Sequence, residues 1–90
     1  MNLIPLGERK TDADGNKQTG SSHMVGGTRF WSWCVGIGRY ESRSEDQRIR
    51  YQSNHRHSGY NVMVDGQPLP KTYRYERTAV QAALKKLAES

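Results

Sequence analysis

The feature that most constrains the fold is the dipeptide Asp65-Gly66, which follows the alternating segment Tyr60–Val64. Asp-Gly is typical of two-residue β-hairpin turns, because both central residues of such a turn take positive φ values. The dipeptide therefore predicts that Val64 lies opposite Gln67 and that two antiparallel strands meet at this point.

The same register places both prolines of the second strand at positions without a hydrogen bond to the first strand. Met63 then faces Pro68, and Asn61 faces Pro70. Proline is tolerated there only at the rim of a sheet, so the strand from Gln67 to Tyr75 is predicted to be an edge strand. The expected apolar face consists of Tyr60, Val62, Leu69, Tyr73 and Tyr75, and the polar face of the edge strand consists of Thr72, Arg74 and Glu76.

A helix follows the hairpin and can cover its apolar face. Thr78 is suited to cap a helix that runs from Ala79 to about Glu89. Apolar residues recur at helical spacing along it, namely Val80, Ala83, Leu84, Leu87 and Ala88.

Two more strands are predicted between Thr28 and Tyr51. Trp31, Trp33, Val35 and Ile37 are apolar at alternate positions, which is the period of a half-buried strand. The polar run ESRSED interrupts this pattern, and a second strand from Arg48 to Tyr51 alternates arginine with apolar residues. Residues 28–90 thus predict one small α+β domain, a three- to four-stranded antiparallel sheet packed against one C-terminal α-helix.

Residues 1–27 are expected to form a flexible N-terminal arm. The stretch from Glu8 to Gly27 has almost no large apolar side chains, so it cannot bury enough surface to offset its ordering entropy. The substring GSSHM, residues 20–24, also resembles a remnant of cloning, so part of the arm is either native or left by a vector.

Charge indicates the class of partner. The chain has 90 residues and a net charge of +5, with 14 Lys and Arg of which most are Arg. Arginine forms forked contacts with phosphates and base edges, so a nucleic acid is the expected partner, although such a charge also serves simply to keep a small protein in solution. No stretch is long and apolar enough for a membrane span, and a single cysteine, Cys34, fits a reducing compartment and a buried position, so a cytoplasmic protein is expected.

Catalytic and metal chemistry are not expected. The chain lacks a Gly-rich phosphate loop and a nucleophile elbow, and the neighbouring acids Glu45 and Asp46 fall in a polar turn. His55 and His57 flank Arg56 without a further ligand at a recognised spacing, so this loop is interpreted as contacting phosphate and not a metal. The sequence therefore predicts neither an enzyme nor a cofactor.

Basic residues on the predicted strands and loops form the candidate binding surface. A β-ribbon or sheet is one of the elements that fit the major groove of DNA, and arginines alternating along strands would be presented on such a surface. The candidate nucleic-acid-binding residues are Arg39, Arg43, Arg48, Arg50, His55, Arg56, His57, Lys71, Thr72, Arg74 and Arg77.

The segment YNVMVDGQPLPKTYRYERTAVQAALKKLAE resembles the end of two kinds of small DNA-binding domain. It is similar to the last two strands and helix of plant AP2-type domains and of the arm-binding domains of tyrosine recombinases. The resemblance implies a three-stranded sheet that enters the major groove of duplex DNA, with Thr72, Arg74 and the arginines of the neighbouring strands on the DNA. The longer hairpin formed by ESRSED and SNHRHSG departs from that pattern.

Two alternatives stay open. A strand pair followed by an Ala-rich helix is also similar to the end of double-stranded-RNA-binding domains, which however start with a helix and carry lysines where this chain has Thr78 and Ala79. A protein-binding inhibitor or adaptor from a mobile element would instead pair its exposed edge strand, residues 67–75, with a partner. Steep salt dependence is expected of nucleic-acid binding and not of edge pairing.

Overall fold

The computed structural model describes residues 10–54 and 59–89. Six strands precede one helix in this part of the chain. They are β1 (Lys17–Val25), β2 (Thr28–Gly36), β3 (Arg39–Ser44), β4 (Ile49–Asn54), β5 (Gly59–Val64), β6 (Gln67–Pro68) and α1 (Glu76–Glu89).

The strands form one antiparallel sheet whose spatial order follows the chain, from β1 at one edge to β6 at the other. Helix α1 packs on one face, chiefly against β5 and also against β1 and β4. The predicted class, an antiparallel sheet with one C-terminal helix, is confirmed. The predicted number of strands is wrong, because β1 and β3 were not expected.

Strand β1 lies within the segment that was predicted to be a flexible arm. Lys17–Val25 pairs with β2 from Lys17 opposite Cys34 to Val25 opposite Thr28, with a register shift between Gln18 and Ser22. The five residues of GSSHM lie within β1, and Ser22, His23 and Met24 are paired with β2. Low apolar content misled the prediction because β1 gains its order from backbone hydrogen bonds to a neighbour and not from a hydrophobic face of its own.

Strand β3 is formed largely by the polar run that was expected to break the sheet. It lies between β2 and β4, and three of its six residues, Glu41, Arg43 and Ser44, are buried. Only the end of the run forms a turn, in which Ser44 Oγ donates to Asp46 Oδ1 at 2.7 Å. Charged residues are compatible with a central strand here because they neutralise one another.

The hairpin at Asp65-Gly66 has the predicted register. Val64 pairs with Gln67 and Met63 with Pro68, and both turn residues have positive φ, 51° and 83°. The ladder continues to Leu69, whose backbone N–H donates to Val62 O at 2.9 Å, and it then stops at Pro70.

The predicted edge strand is therefore much shorter than 67–75. After β6 the chain rejoins the sheet only at Tyr73, which bridges Tyr60 instead of continuing the predicted register. Gly59 allows this close return, because a Cβ atom there would lie 2.9 Å from the backbone oxygen of Tyr73. Tyr75, expected on the apolar face, is exposed.

Helix α1 begins at Glu76, three residues before the predicted start, so Thr78 lies inside the helix and does not cap it. The predicted apolar stripe is largely confirmed: Val80 and Ala83 are fully buried and Leu84 and Leu87 pack against the core. Ala88 is exposed. The core on this side of the sheet consists of Phe30, Ile49, Tyr51, Val62, Val64, Ala79, Val80 and Ala83.

The expected apolar face of the Trp31–Ile37 strand is only partly correct. Phe30, not the tryptophans, faces the helix, while Trp33 is buried on the opposite side of the sheet. Ile37 lies in the turn after β2 and is fully exposed, and Cys34, expected to be buried, is exposed as well. Within the described residues, α1 is too short and too polar to cross a bilayer.

Candidate nucleic-acid interface

The face of the sheet opposite α1 carries most of the polar and charged side chains of the central strands, and we call it the open face. Strand alternation and the register determine which side chains lie on this face. In that register Trp31 pairs with Arg43, and Arg43 pairs with Arg50. The residues of the open face are Trp31, Trp33, Arg39, Glu41, Arg43, Arg50, Gln52, Asn61 and Met63.

A buried ionic cluster occupies one half of the open face. The guanidinium of Arg43 lies 4.4 Å from the centroid of the Trp33 ring. Its Nε donates to Glu41 Oε1 at 2.6 Å, and its Nη1 lies 2.9 Å from Asp12 Oδ2. Arg43 is only 2% exposed, so this predicted nucleic-acid-binding residue has a structural role.

The loop before β1 supplies Asp12 to this cluster. Asp12 also accepts hydrogen bonds from the backbone N–H groups of Asp14 and Asn16 and from Asn16 Nδ2, at 2.9–3.0 Å. Desolvation raises the pKa of the Asp12 carboxyl, but the bonds from Asn16, Arg43 and Asp14 outweigh it and lower the pKa to about 2. Asp12 is therefore ionised and held in place against Arg43.

The cluster extends to the centre of the open face through Glu41. Its second carboxylate oxygen, Oε2, accepts a 2.8 Å hydrogen bond from Gln52 Nε2. Gln52 lies directly opposite Asn61 on the neighbouring strand. Asn61 Oδ1 in turn accepts a 3.1 Å bond from the hydroxyl of Thr72. Glu41 thus contacts the amide of Gln52, and Thr72 contacts the amide of Asn61.

Two arginines of the predicted set flank these amides. Arg50, half-buried on β4, donates from Nε to the backbone oxygen of Gln47 at 3.3 Å. Arg39 is exposed at the start of β3 and borders a depression of about 250 Å³ that Gln52 also lines. A second depression, of about 190 Å³, is lined by Arg50, Gln52 and Asn61 among others.

Arg48 does not join Arg50 on a strand as predicted. It lies in the turn before β4 and forms a two-point ion pair with Asp65, with Nε–Oδ1 at 2.7 Å and Nη2–Oδ2 at 2.8 Å. The hydrogen bonds and charge of this pair raise the pKa of Arg48 and lower the pKa of Asp65. Arg48 therefore links the start of β4 to the end of β5 through this ion pair.

The other predicted residues lie at the β6 side of the sheet or outside the described residues. Lys71, Thr72 and Arg74 are exposed in the segment between β6 and α1, and the guanidinium of Arg74 lies 6.0 Å from the Tyr75 ring. Arg77 is exposed in the first turn of α1. The predicted phosphate loop of His55, Arg56 and His57 lies outside the described residues.

On the helix side, three polar side chains that the sequence did not single out form a contact. Tyr51 Oη donates to Glu76 Oε2 at 2.7 Å and lies 2.7 Å from His23 Nε2. Since the tyrosine proton is used toward the carboxylate, the tyrosine oxygen accepts from the imidazole N–H. Burial, together with the bond to Glu76, raises the pKa of Tyr51, so this hydroxyl stays protonated and structural.

No cluster of His, Cys, Asp and Glu side chains that could hold a metal ion is found within residues 10–54 and 59–89. A depression of about 560 Å³ between the β1–β2 turn and the start of α1 is lined by Met24, Glu76, Arg77 and Gln81 and by backbone. Opposite charges balance there, so it offers an anionic ligand no net attraction.

The sequence reasoning missed Gln52 and Asn61, the two amides at the centre of the open face. It weighed cationic residues alone. The register set by Asp65-Gly66 already places Asn61 on the same face as Met63, and that signal could have found it.

Comparison of the chain with protein-family models, with curated protein sequences and with solved structures found no match to any of them.

Proposed function

We propose that this protein binds nucleic acid, with duplex DNA as the favoured partner, through the open face of its sheet. The observation that carries the proposal is the exposed polar centre of that face, where Gln52 and Asn61 lie between Arg39 and Arg50. Phosphates attract the guanidinium groups, while amides and guanidinium groups are the side chains that bond base edges in the major groove.

The position of the helix supports the same proposal. Helix α1 covers the other face, and the part of the open face around Gln52 and Asn61 carries no packed helix within the described residues. His23 on β1 and Tyr51 on β4 meet at 2.7 Å although two strands separate them, which indicates that the sheet curves around its core and bulges on the open side. A convex sheet can present two neighbouring strands to the major groove, which admits a two-stranded β-ribbon.

The resemblance to AP2-type and recombinase arm-binding domains implies DNA contact by the same face of the sheet, and it is part of the proposal. The contact set that we propose differs from the one expected from sequence. Arg39, Arg50, Gln52, Asn61 and Thr72 form its centre, Lys71 and Arg74 add charge at the β6 side, and Arg43 and Arg48 serve the fold. We further propose that the protein acts as a binding protein and not as an enzyme. A cytoplasmic location is part of the proposal, because a free, exposed thiol such as that of Cys34 is compatible with a reducing compartment.

A charge-matched pair of double variants tests the proposal. Arg39→Gln with Arg50→Gln removes two positive charges from the open face, and Lys85→Gln with Lys86→Gln removes two from the exposed side of α1. Binding is measured by fluorescence anisotropy with random-sequence duplex DNA, duplex RNA and single-stranded DNA at about 50 and 200 mM salt, a range over which phosphate contacts weaken strongly.

We expect the arginine variant to weaken duplex DNA binding and to reduce the salt slope by up to about 0.9 for each phosphate that the protein no longer neutralises. The lysine variant should change both much less. A larger effect of the lysines would favour the double-stranded-RNA-binding alternative. Absence of binding to all three nucleic acids would contradict the proposal and favour a protein partner.

A further inference from the structure

We propose that Gln52 and Asn61 together recognise the major-groove edge of one adenine. This inference rests on the proposed function, since it names the base that the open face recognises in duplex DNA. It starts from the hydrogen bond that each of the two amides makes in the structure, Gln52 with Glu41 and Asn61 with Thr72.

Glu41 sets the direction of Gln52. A carboxylate can only accept hydrogen bonds, so the end of the Gln52 amide that faces Glu41 Oε2 at 2.8 Å must be the NH₂ group. The carbonyl oxygen Oε1 of Gln52 is then the end turned away from Glu41. Gln52 thus presents an acceptor on the open face.

The amide of Asn61 contacts the hydroxyl of Thr72. This hydroxyl donates to Asn61 Oδ1 at 3.1 Å, so the Asn61 Nδ2 group is turned away from Thr72. Asn61 is exposed, and its Nδ2 is the donor that it offers to a ligand. Since Gln52 and Asn61 are paired directly across β4 and β5, an acceptor and a donor lie side by side.

Only adenine offers the complementary pair on one base in the major groove. It carries the N6 amino donor beside the N7 acceptor, whereas guanine presents two acceptors, cytosine an amino donor and thymine an acceptor beside a methyl group. Guanine at this position would place its O6 or N7 against the Gln52 oxygen. Adenine N6 would donate to Gln52 Oε1, and Asn61 Nδ2 would donate to adenine N7.

The buried cluster fixes the Gln52 side of this arrangement. Glu41 is held by Arg43 at 2.6 Å, and Arg43 is held by Asp12 at 2.9 Å and by the Trp33 ring. Glu41 is therefore a positioning residue, because it acts on the ligand only through Gln52. A fixed amide loses little conformational entropy on binding, which favours discrimination between bases.

Selection from a library of random DNA duplexes tests the inference. The wild-type protein should enrich sites with one adenine that is preferred by about 5- to 150-fold over other bases. Asn61→Ala and Gln52→Met should each lose the preference at that position. Gln81→Ala, an exposed amide on α1, is the matched control and should keep it. Circular dichroism melting checks that every variant is folded.

Two substitutions separate the individual hydrogen bonds. Replacing the preferred adenine by 7-deazaadenine removes N7, which should weaken wild-type binding roughly fivefold and leave Asn61→Ala binding unchanged. Asn61→Asp replaces the donor by an acceptor of the same shape, so the preference at this position should move toward cytosine, whose N4 amino group donates.

The outcomes distinguish this inference from the proposed function. Duplex binding without an adenine preference, or with a preference that persists in both amide variants, would overturn the inference and leave the function in place. Failure of the wild-type protein to bind any duplex DNA would overturn both.

Discussion

The hydroxyl of Tyr51 donates a 2.7 Å hydrogen bond to Glu76, and this contact joins the fourth strand to the first turn of the helix. His23 on β1 meets the same hydroxyl at 2.7 Å, and Phe30 packs edge-on against the Tyr51 ring. One buried tyrosine thereby connects an edge strand, a central strand and the helix. Helix α1 is held against the sheet both by this polar contact and by its apolar stripe.

Tyr51→Phe should lower the free energy of unfolding by about 1 to 3 kcal/mol, because the hydroxyl bonds a charged group in a largely buried position. Urea denaturation measures the change. Tyr40→Phe is the matched control, since Tyr40 is 59% exposed and its hydroxyl is accessible to water. Equal stability of the two variants would contradict the structural role of the Tyr51 hydroxyl.

Truncation of Ile49 and of Ile37 to alanine tests which of the two residues belongs to the core. Ile49→Ala should cost about 2 to 5 kcal/mol of unfolding free energy, because Ile49 is 2% exposed and its truncation leaves a cavity. Ile37→Ala should stay within about 0.5 kcal/mol, since Ile37 lies fully exposed in the β2–β3 turn. The sequence pattern alone predicts that Ile37 also lies on a buried strand face, so chemical denaturation of both variants decides between the two descriptions.

Substitution of Arg43 should affect stability and substitution of Arg50 should affect binding, although both residues were predicted to bind nucleic acid. Arg43→Gln is expected to cost about 3 to 5 kcal/mol, because it leaves the buried Glu41 without its cation and removes the partner of the half-buried Asp12. Arg50→Gln should change stability by less than about 0.5 kcal/mol and act on duplex binding instead. Thermal melting and anisotropy on both variants check this separation, which a similar loss of stability in the two would refute.

Acid should weaken the attachment of the loop before β1. The pKa of Asp12 is about 2 in the folded protein against an ordinary value of 3.8, so the unfolded chain binds the proton more tightly. The stabilisation is therefore fully present above about pH 4 and is lost as pH falls toward 2. The Asp12→Asn substitution removes the contribution of the Asp12 carboxylate to the free energy of unfolding.

Unfolding free energies measured between pH 5 and about pH 2 should accordingly converge for the wild type and the Asp12→Asn variant as the pH falls. Asp14→Asn serves as the control, because Asp14 lies in the same loop but only its backbone N–H contacts Asp12. A constant difference between wild type and Asp12→Asn over this range would show that the carboxylate is not linked to folding.

Local patterns in the sequence predicted the hairpin turn and the apolar stripe of the helix. The turn at Asp65-Gly66 depends on the φ angles of two residues, and the apolar stripe of α1 depends on helical spacing, so both are encoded within a few residues. The start of the helix was placed three residues late because Glu76 is held from outside the helix, by Tyr51.

The candidate site could be predicted only in part. Arg39 and Arg50 were identified from charge and alternation, and the register from the hairpin correctly assigns Asn61 to the face opposite the core. Charge did not distinguish a free arginine from a paired one. Arg43 and Arg48 differ from Arg50 because carboxylates reach them, that of Asp12 from the loop before β1 and that of Asp65 from the β5–β6 turn.

By itself, the sequence determined an antiparallel hairpin followed by an amphipathic helix, because turn geometry and apolar periodicity act between near neighbours in the chain. The tertiary structure alone decided that polar segments become β1 and β3, that Arg43 is buried, and that Glu41 orients the amide of Gln52. The physical reason is that a polar side chain can be buried or oriented only when its partners are present, and here those partners come from distant parts of the chain.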